Sequence, residues 1–422
     1  MTLNPRVILM ALLAVVVLAT SFPELAFAHG ERNQEPFLRM RTVQWYDTQF
    51  PTDRDFAVND TFEISGKFRL HEDWPQVLER PGDVPVFINV ATPGPKVARE
   101  ALYINGQPAP MSTFLDIGKD YEYRVVMKAR VPGRHHVHPM LSIEGSGGVV
   151  GPGMWVNVTG DQDDFVASEV TLTGEKIENL ETYNVGTVVT WHAIWIVIAA
   201  GWLLWWVSRP LLIPRFIMVQ NQEWDRLITP LDRKVGAGLL VFTLVLVGVG
   251  YFWYVAKYPT TIPLQGGKVL IAPTPMPDSP ITAFSERAEY YVPGRTMVIT
   301  VKVTNDSDAP VRVGEFSTAN IRFINPDVPA PVEAIPENYP DDYLALGGLE
   351  VSDDSPIQPG ETRTFTITAS DVSWERERLI GLVKGPDNSF GGLLFFFDDQ
   401  GNRYLASIGG AILPKFVPPS TS

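Results

Sequence analysis

The chain has 422 residues, with 34 Lys+Arg against 48 Asp+Glu for a formal charge of -14, six His and no Cys. The missing thiols exclude disulfides, Cys-ligated zinc or iron–sulfur sites, a thiol nucleophile and a His₂Cys copper centre. The acidic balance argues against nucleic-acid binding, which depends on basic side chains neutralising phosphates.

The first 28 residues contain Arg6, an apolar run over 7–20 and the small-x-small sequence Ala26-Phe27-Ala28. This is the pattern of an export signal cut after Ala28, which would make His29 the mature N-terminus. Residues 29–182 then read as short strands. Period-two alternation is clear over 61–70 and 121–129 and continues in a shorter piece at 155–159. An antiparallel β-sandwich with one solvated face per sheet is expected.

Residues 183–257 change character. Two stretches, 187–207 and 235–255, contain no Asp, Glu, Lys or Arg. At 1.5 Å per residue each reaches roughly 30 Å, the thickness of a bilayer's hydrocarbon core. Arg209, Arg215, Arg226, Arg233 and Lys234 lie between or beside them, which predicts a cytoplasmic loop by the positive-inside rule and extracytoplasmic flanking domains. From 258 to 422 strand signals return at 297–305, 362–368, 392–397 and 403–408. A hairpin is expected where Asp306-Ser307-Asp308 leads into 311–313, and another around Asp398-Asp399-Gln400-Gly401-Asn402. The predicted class is mainly β with a transmembrane α-hairpin joining two sandwiches. The last 165 residues contain 12 basic and 21 acidic side chains and so hold most of the acidity, read as a solvated surface.

Metal chemistry must use imidazole, carboxylate or backbone groups. His136 and His138 are two apart, so a strand projects both from one face, with His135 turned away. His29 adds an imidazole and, once the signal is removed, a free α-amine. His29, His136 and His138 thus form an all-nitrogen set that suits copper first and zinc second. Glu31 is a candidate outer-shell carboxylate. His71 reads as a surface residue, and His192, inside the first span, as a contact to the other span or a partner subunit.

The text of the mature chain resembles the B-type component of the copper membrane monooxygenases, the family of particulate methane, ammonia and related hydrocarbon monooxygenases. The resemblance rests on His29-Gly30-Glu31-Arg32-Asn33-Gln34-Glu35-Pro36-Phe37, Pro132-Gly133-Arg134-His135-His136-Val137-His138, Gly151-Pro152-Gly153, Val292-Pro293-Gly294-Arg295 and Gly391-Gly392-Leu393-Leu394-Phe395-Phe396-Phe397. It implies two cupredoxin-like sandwiches on the extracytoplasmic side. It further implies two integral-membrane partners of the A and C type in a trimer of heterotrimers, and copper on His29, His136 and His138. The enzyme would use O2 to hydroxylate a small substrate, with ammonia, methane and other short-chain hydrocarbons all open. Some family members carry a second, two-histidine copper site. The corresponding positions here are Gln44 and Arg69, so that site is expected to be absent. A membrane-tethered copper carrier or sensor, and a scaffold with structural copper, are the rival readings.

Overall fold

The computed structural model describes residues 34–92, 94–109, 112–171, 174–259, 272–377, 379, 381 and 388–418. The export signal, His29 and Glu31 lie outside them. Of the described residues, those at 34–164 and 272–418 belong to one compact unit and those at 165–259 to another.

The first part of the larger unit runs α1 (Pro36–Arg41), β1 (Val43–Gln49), β2 (Asp55–Ala57), β3 (Thr61–Leu70), β4 (Val86–Ala91), β5 (Val97–Ile104), β6 (Gln107–Pro108), β7 (Asp120–Ala129), β8 (Gly133–Ile143), β9 (Gly147–Val150) and β10 (Met154–Thr159). Two sheets result, β1-β3-β7-β5-β6 and β2-β10-β8-β4, with β9 added to β8. The period-two pattern of β3 decides which side is core: Phe62, Ile64, Phe68 and Leu70 are buried, while the residues between them, Gly66 apart, face outward. They pack with Tyr121, Tyr123 and Val125 of β7 against Val86, Ile88, Val137, Leu141 and Val156 of the other sheet.

The smaller unit holds a two-residue ladder of β11 (Glu169–Val170) and β12 (Lys176–Ile177), then α2 (Val185–Val207), α3 (Leu212–Gln220), α4 (Trp224–Leu227) and α5 (Pro230–Lys257). Helices α2 and α5, of 23 and 28 residues, are long and apolar enough to cross a membrane. Helix α5 starts before its apolar stretch because Thr229 and Asp232 form a capping box and Pro230 occupies the first turn. Asp232 also accepts from Trp205 Nε1 at 3.0 Å and pairs with Arg209 at 2.9 Å, tying the end of α2 to the start of α5.

The chain then returns to the larger unit with β13 (Ile281–Tyr291), β14 (Thr296–Asn305), β15 (Arg312–Thr318), β16 (Ile321–Ile324), α6 (Pro329–Glu333), β17 (Leu344–Leu346), β18 (Leu349–Val351), β19 (Thr362–Ser370), α7 (Ser373–Arg376), β20 (Ser389–Phe397) and β21 (Arg403–Lys415). The hydrogen-bonded path is β17-β16-β15-β20-β21-β13-β14-β19-β18. Strand β21 turns the corner: 403–411 pair antiparallel with β20, and 412–415 pair parallel with β13. The path therefore folds over itself, with Ile299, Val301 and Ile367 of one layer packed against Phe316, Phe323 and Phe396 of the other.

Asp398 closes the β20–β21 hairpin by accepting from the N–H groups of Gln400 and Asn402 at 2.9 and 2.8 Å. The hairpin expected after 297–305 does not form: β14 pairs with β13 and β19, and Arg312 begins a strand in the opposite layer. Buried Asn305 gives the reason. Its Nδ2 donates to the carbonyls of Ala309 and Ile357, both at 2.9 Å, and its Oδ1 accepts from Ser307 Oγ at 2.6 Å. The segment wraps around this amide as a crossover between layers.

The two β regions share their cores. Met40 of α1 belongs to the C-terminal core, whereas Tyr339 and Tyr343 belong to the N-terminal one. Arg39 and Glu377 form a fully buried ion pair at 3.2 Å. His71, expected at the surface, is 2% exposed. A Cβ on Gly391 or Gly409 would lie 2.6 or 2.8 Å from its ring, so two glycines of the C-terminal sheet make its slot. Asp73 N–H donates to Nδ1 at 3.1 Å, and Nε2 donates to the Ile408 carbonyl at 3.1 Å. Both nitrogens are used, and burial holds the ring below the usual histidine pKa.

Candidate metal centre

Strand β8 alternates as its sequence requires, and His136 and His138 meet on one face with ring centroids 4.3 Å apart and planes at 88°. His138 is 3% exposed and its Nδ1 sits 2.9 Å from the Gly151 carbonyl oxygen. A carbonyl can only accept, so Nδ1 carries the proton and Nε2 presents the lone pair, the form in which imidazole ligates a metal. His136 is half-buried against Trp155, its directly opposite neighbour on β10, with centroids 4.7 Å apart. The Arg134 guanidinium lies over that indole at 4.6 Å.

The link from β9 to β10, Gly151-Pro152-Gly153, cradles His138. A Cβ on Gly153 would overlap the His138 ring, and one on Gly151 would lie 2.9 Å from Trp45 and from Pro139. The Gly153 N–H donates to Tyr343 Oη at 3.0 Å, so the C-terminal half holds this loop over the histidine. Gln34 reaches the same neighbourhood, spanning Gly148 and Val150 of β9. Neither Tyr343 nor Gln34 carried a sequence signal for this role. Gly-Pro-Gly did, as a motif, but only the register of β8 and β10 shows what it touches.

The other described imidazoles are engaged elsewhere. His135 faces away and its Nε2 donates to the Val131 carbonyl at 2.7 Å. His192 Nδ1 donates to the Val188 carbonyl of its own helix at 2.8 Å. Gln44 and Arg69 are cross-strand partners. Gln44 is buried and donates to the Met40 carbonyl, while Arg69 pairs with Asp120 and Glu72. An amide used as a donor and a guanidinium that keeps its proton offer no imidazole-type lone pair. Among the described residues no three His, Asp or Glu side chains converge. The donors that the described residues bring together are thus the imidazoles of His136 and His138. This chemistry fits a borderline-soft, nitrogen-preferring ion such as copper or zinc and leaves coordination positions for a third donor.

A curated relative, the particulate methane monooxygenase alpha subunit of Methylococcus capsulatus strain Bath, is 43% identical over 407 residues, 96% of each chain. Among solved structures, the cupredoxin domain of amoB from Nitrosocaldus yellowstonii matches 32% of this chain and 98% of its own at 16% identity and a TM-score of 0.25. A conjugative transposon lipoprotein from Bacteroides eggerthii matches 28% of this chain and 95% of its own at 14% identity and a TM-score of 0.18. Likenesses at those scores carry no argument. The model of the monooxygenase B-subunit protein family matches residues 30–416, nearly the whole chain. With that match and the 43% identity together, the chain belongs to the monooxygenase B-subunit family.

Proposed function

We propose that the chain is the copper-binding subunit of a membrane-bound monooxygenase complex that uses O2 to hydroxylate a small substrate: ammonia, methane or another short-chain hydrocarbon. The observation that carries this reading is the His136–His138 pair, with His138 held by Gly151 in its ligating tautomer. His29 would complete the set through its imidazole and its α-amine after signal removal. Copper, when bound, would supply the one-electron chemistry with O2 that no side chain provides. The chain's own residues orient the imidazoles, hold one ring proton on Nδ1 and wall one side of the site with Trp155.

In this reading the chain works with two integral-membrane partners of the A and C type in a trimer of heterotrimers. It crosses the cell membrane twice, with its cupredoxin-like regions, 29–182 and 258–422, both outside the cytoplasm. The run of basic residues between the helices supports that orientation, and the relative's name supports the complex. The test is His136→Ala with His138→Ala in the purified complex. Copper per protomer should fall and the Cu(II) spectrum should change. Unchanged copper and spectrum would overturn the assignment, and mass spectrometry of the mature chain should find His29 first.

A further inference from the structure

Strand β9 pairs with β8 through one edge, Val150 opposite Met140 and Gly148 opposite Ser142. Its other edge would leave the Gly148 carbonyl and the Val150 N–H without a strand. Gln34 takes both: its Nε2 donates to the Gly148 carbonyl at 2.6 Å, and its Oε1 accepts from the Val150 N–H at 3.0 Å. A primary amide offers one acceptor and one donor side by side and so stands in for a neighbouring strand. Glu in its place could only accept.

This clasp sits close to the imidazole pair. Val150 faces Met140, which lies two residues along β8 from His138, about 7 Å at strand rise. Gln34 is five residues from His29, and five residues reach at most roughly 17 Å. The next firm anchor is α1, where Arg39 binds Glu377 and Met40 enters the C-terminal core. Without the clasp, the nearest packed residue would be buried Pro36 at the start of α1, seven residues from His29 instead of five.

We infer that Gln34 is a positioning residue: by docking on β9 it holds the N-terminus within reach of His136 and His138, so that its amine and imidazole meet the metal at low entropic cost. This rests on the metal-site reading above. In the intact complex, Gln34→Ala and the near-isosteric Gln34→Glu should both weaken copper binding about tenfold or more in a chelator competition, the range seen for groups that orient ligands. The Cu(II) electron paramagnetic resonance spectrum should lose nitrogen hyperfine coupling from the N-terminal donors. In copper-free protein the Val150 amide should exchange its hydrogen faster. Wild-type affinity and spectrum in both variants, or unchanged Val150 exchange, would overturn the inference while leaving the imidazole site standing. Copper retained by the His136→Ala, His138→Ala protein would instead remove the site reading itself.

Discussion

The two β regions are built from the same kind of strand and do different work. The N-terminal one, with its two sheets, carries His71, His135, His136 and His138, whereas the chain from residue 258 onward has no histidine at all. What the C-terminal region contributes is support. Tyr343 holds the loop over His138, Glu377 receives Arg39, and Gly391 and Gly409 make the slot for His71. A sandwich is a scaffold, and the chemistry lies in the side chains mounted on it. Here one scaffold mounts them and the other fixes the first in place.

If that division is right, the largest effect should come from the buried joint. Arg39→Ala would take from Glu377, whose side chain is 1% exposed, the guanidinium it is buried against, a loss of about 3–5 kcal/mol. Calorimetry of the purified protein should show it, and Arg39→Met with Glu377→Leu should recover much of it. A single variant as stable as wild type would mean that the two regions are independent. Next is Gly153→Ala, whose new Cβ would overlap the His138 ring. Overpacking of about 1–3 kcal/mol should accompany displacement of that imidazole, read as lost copper, whereas Gly347→Ala, strained by a φ of +72° but with its Cβ in open space in the C-terminal half, should leave copper unchanged.

The smallest and most specific effect concerns acid. Burial lowers the His71 pKa, with Glu72 and Asp73 pulling up and Arg41 pushing down. The unfolded chain takes up its proton near the ordinary value of about 6.5, while the folded chain still excludes it. Stability from this group is therefore complete above that pH and is lost as pH falls below it, by at most about 1.4 kcal/mol per unit. His71→Gln should flatten the stability profile between roughly pH 6.5 and 5. An unchanged slope would mean that His71 charges inside the fold.

Much of this was legible in local pattern. The strand expected at 61–70 forms over those residues, and the one expected at 121–129 starts a single residue earlier. The expected spans at 187–207 and 235–255 lie inside α2 and α5. The pairing of His136 with His138 followed from strand alternation alone, because a repeat of two is a property of the backbone. The burial of His71, the crossover at Asn305 and the shared cores were not legible. Each depends on residues hundreds of positions apart, such as His71 with Gly391 and Gly409, or on which of several equivalent strands pair.

By itself the sequence determined the strands, the two apolar helices and the nitrogen donors, since spacing and composition act over a few residues. Only the tertiary structure decided that His138 has its proton on Nδ1, that Gly153 must lack a side chain, and that Gln34 completes the edge of β9. Those outcomes belong to close packing and hydrogen-bond satisfaction between distant segments, which no local periodicity encodes.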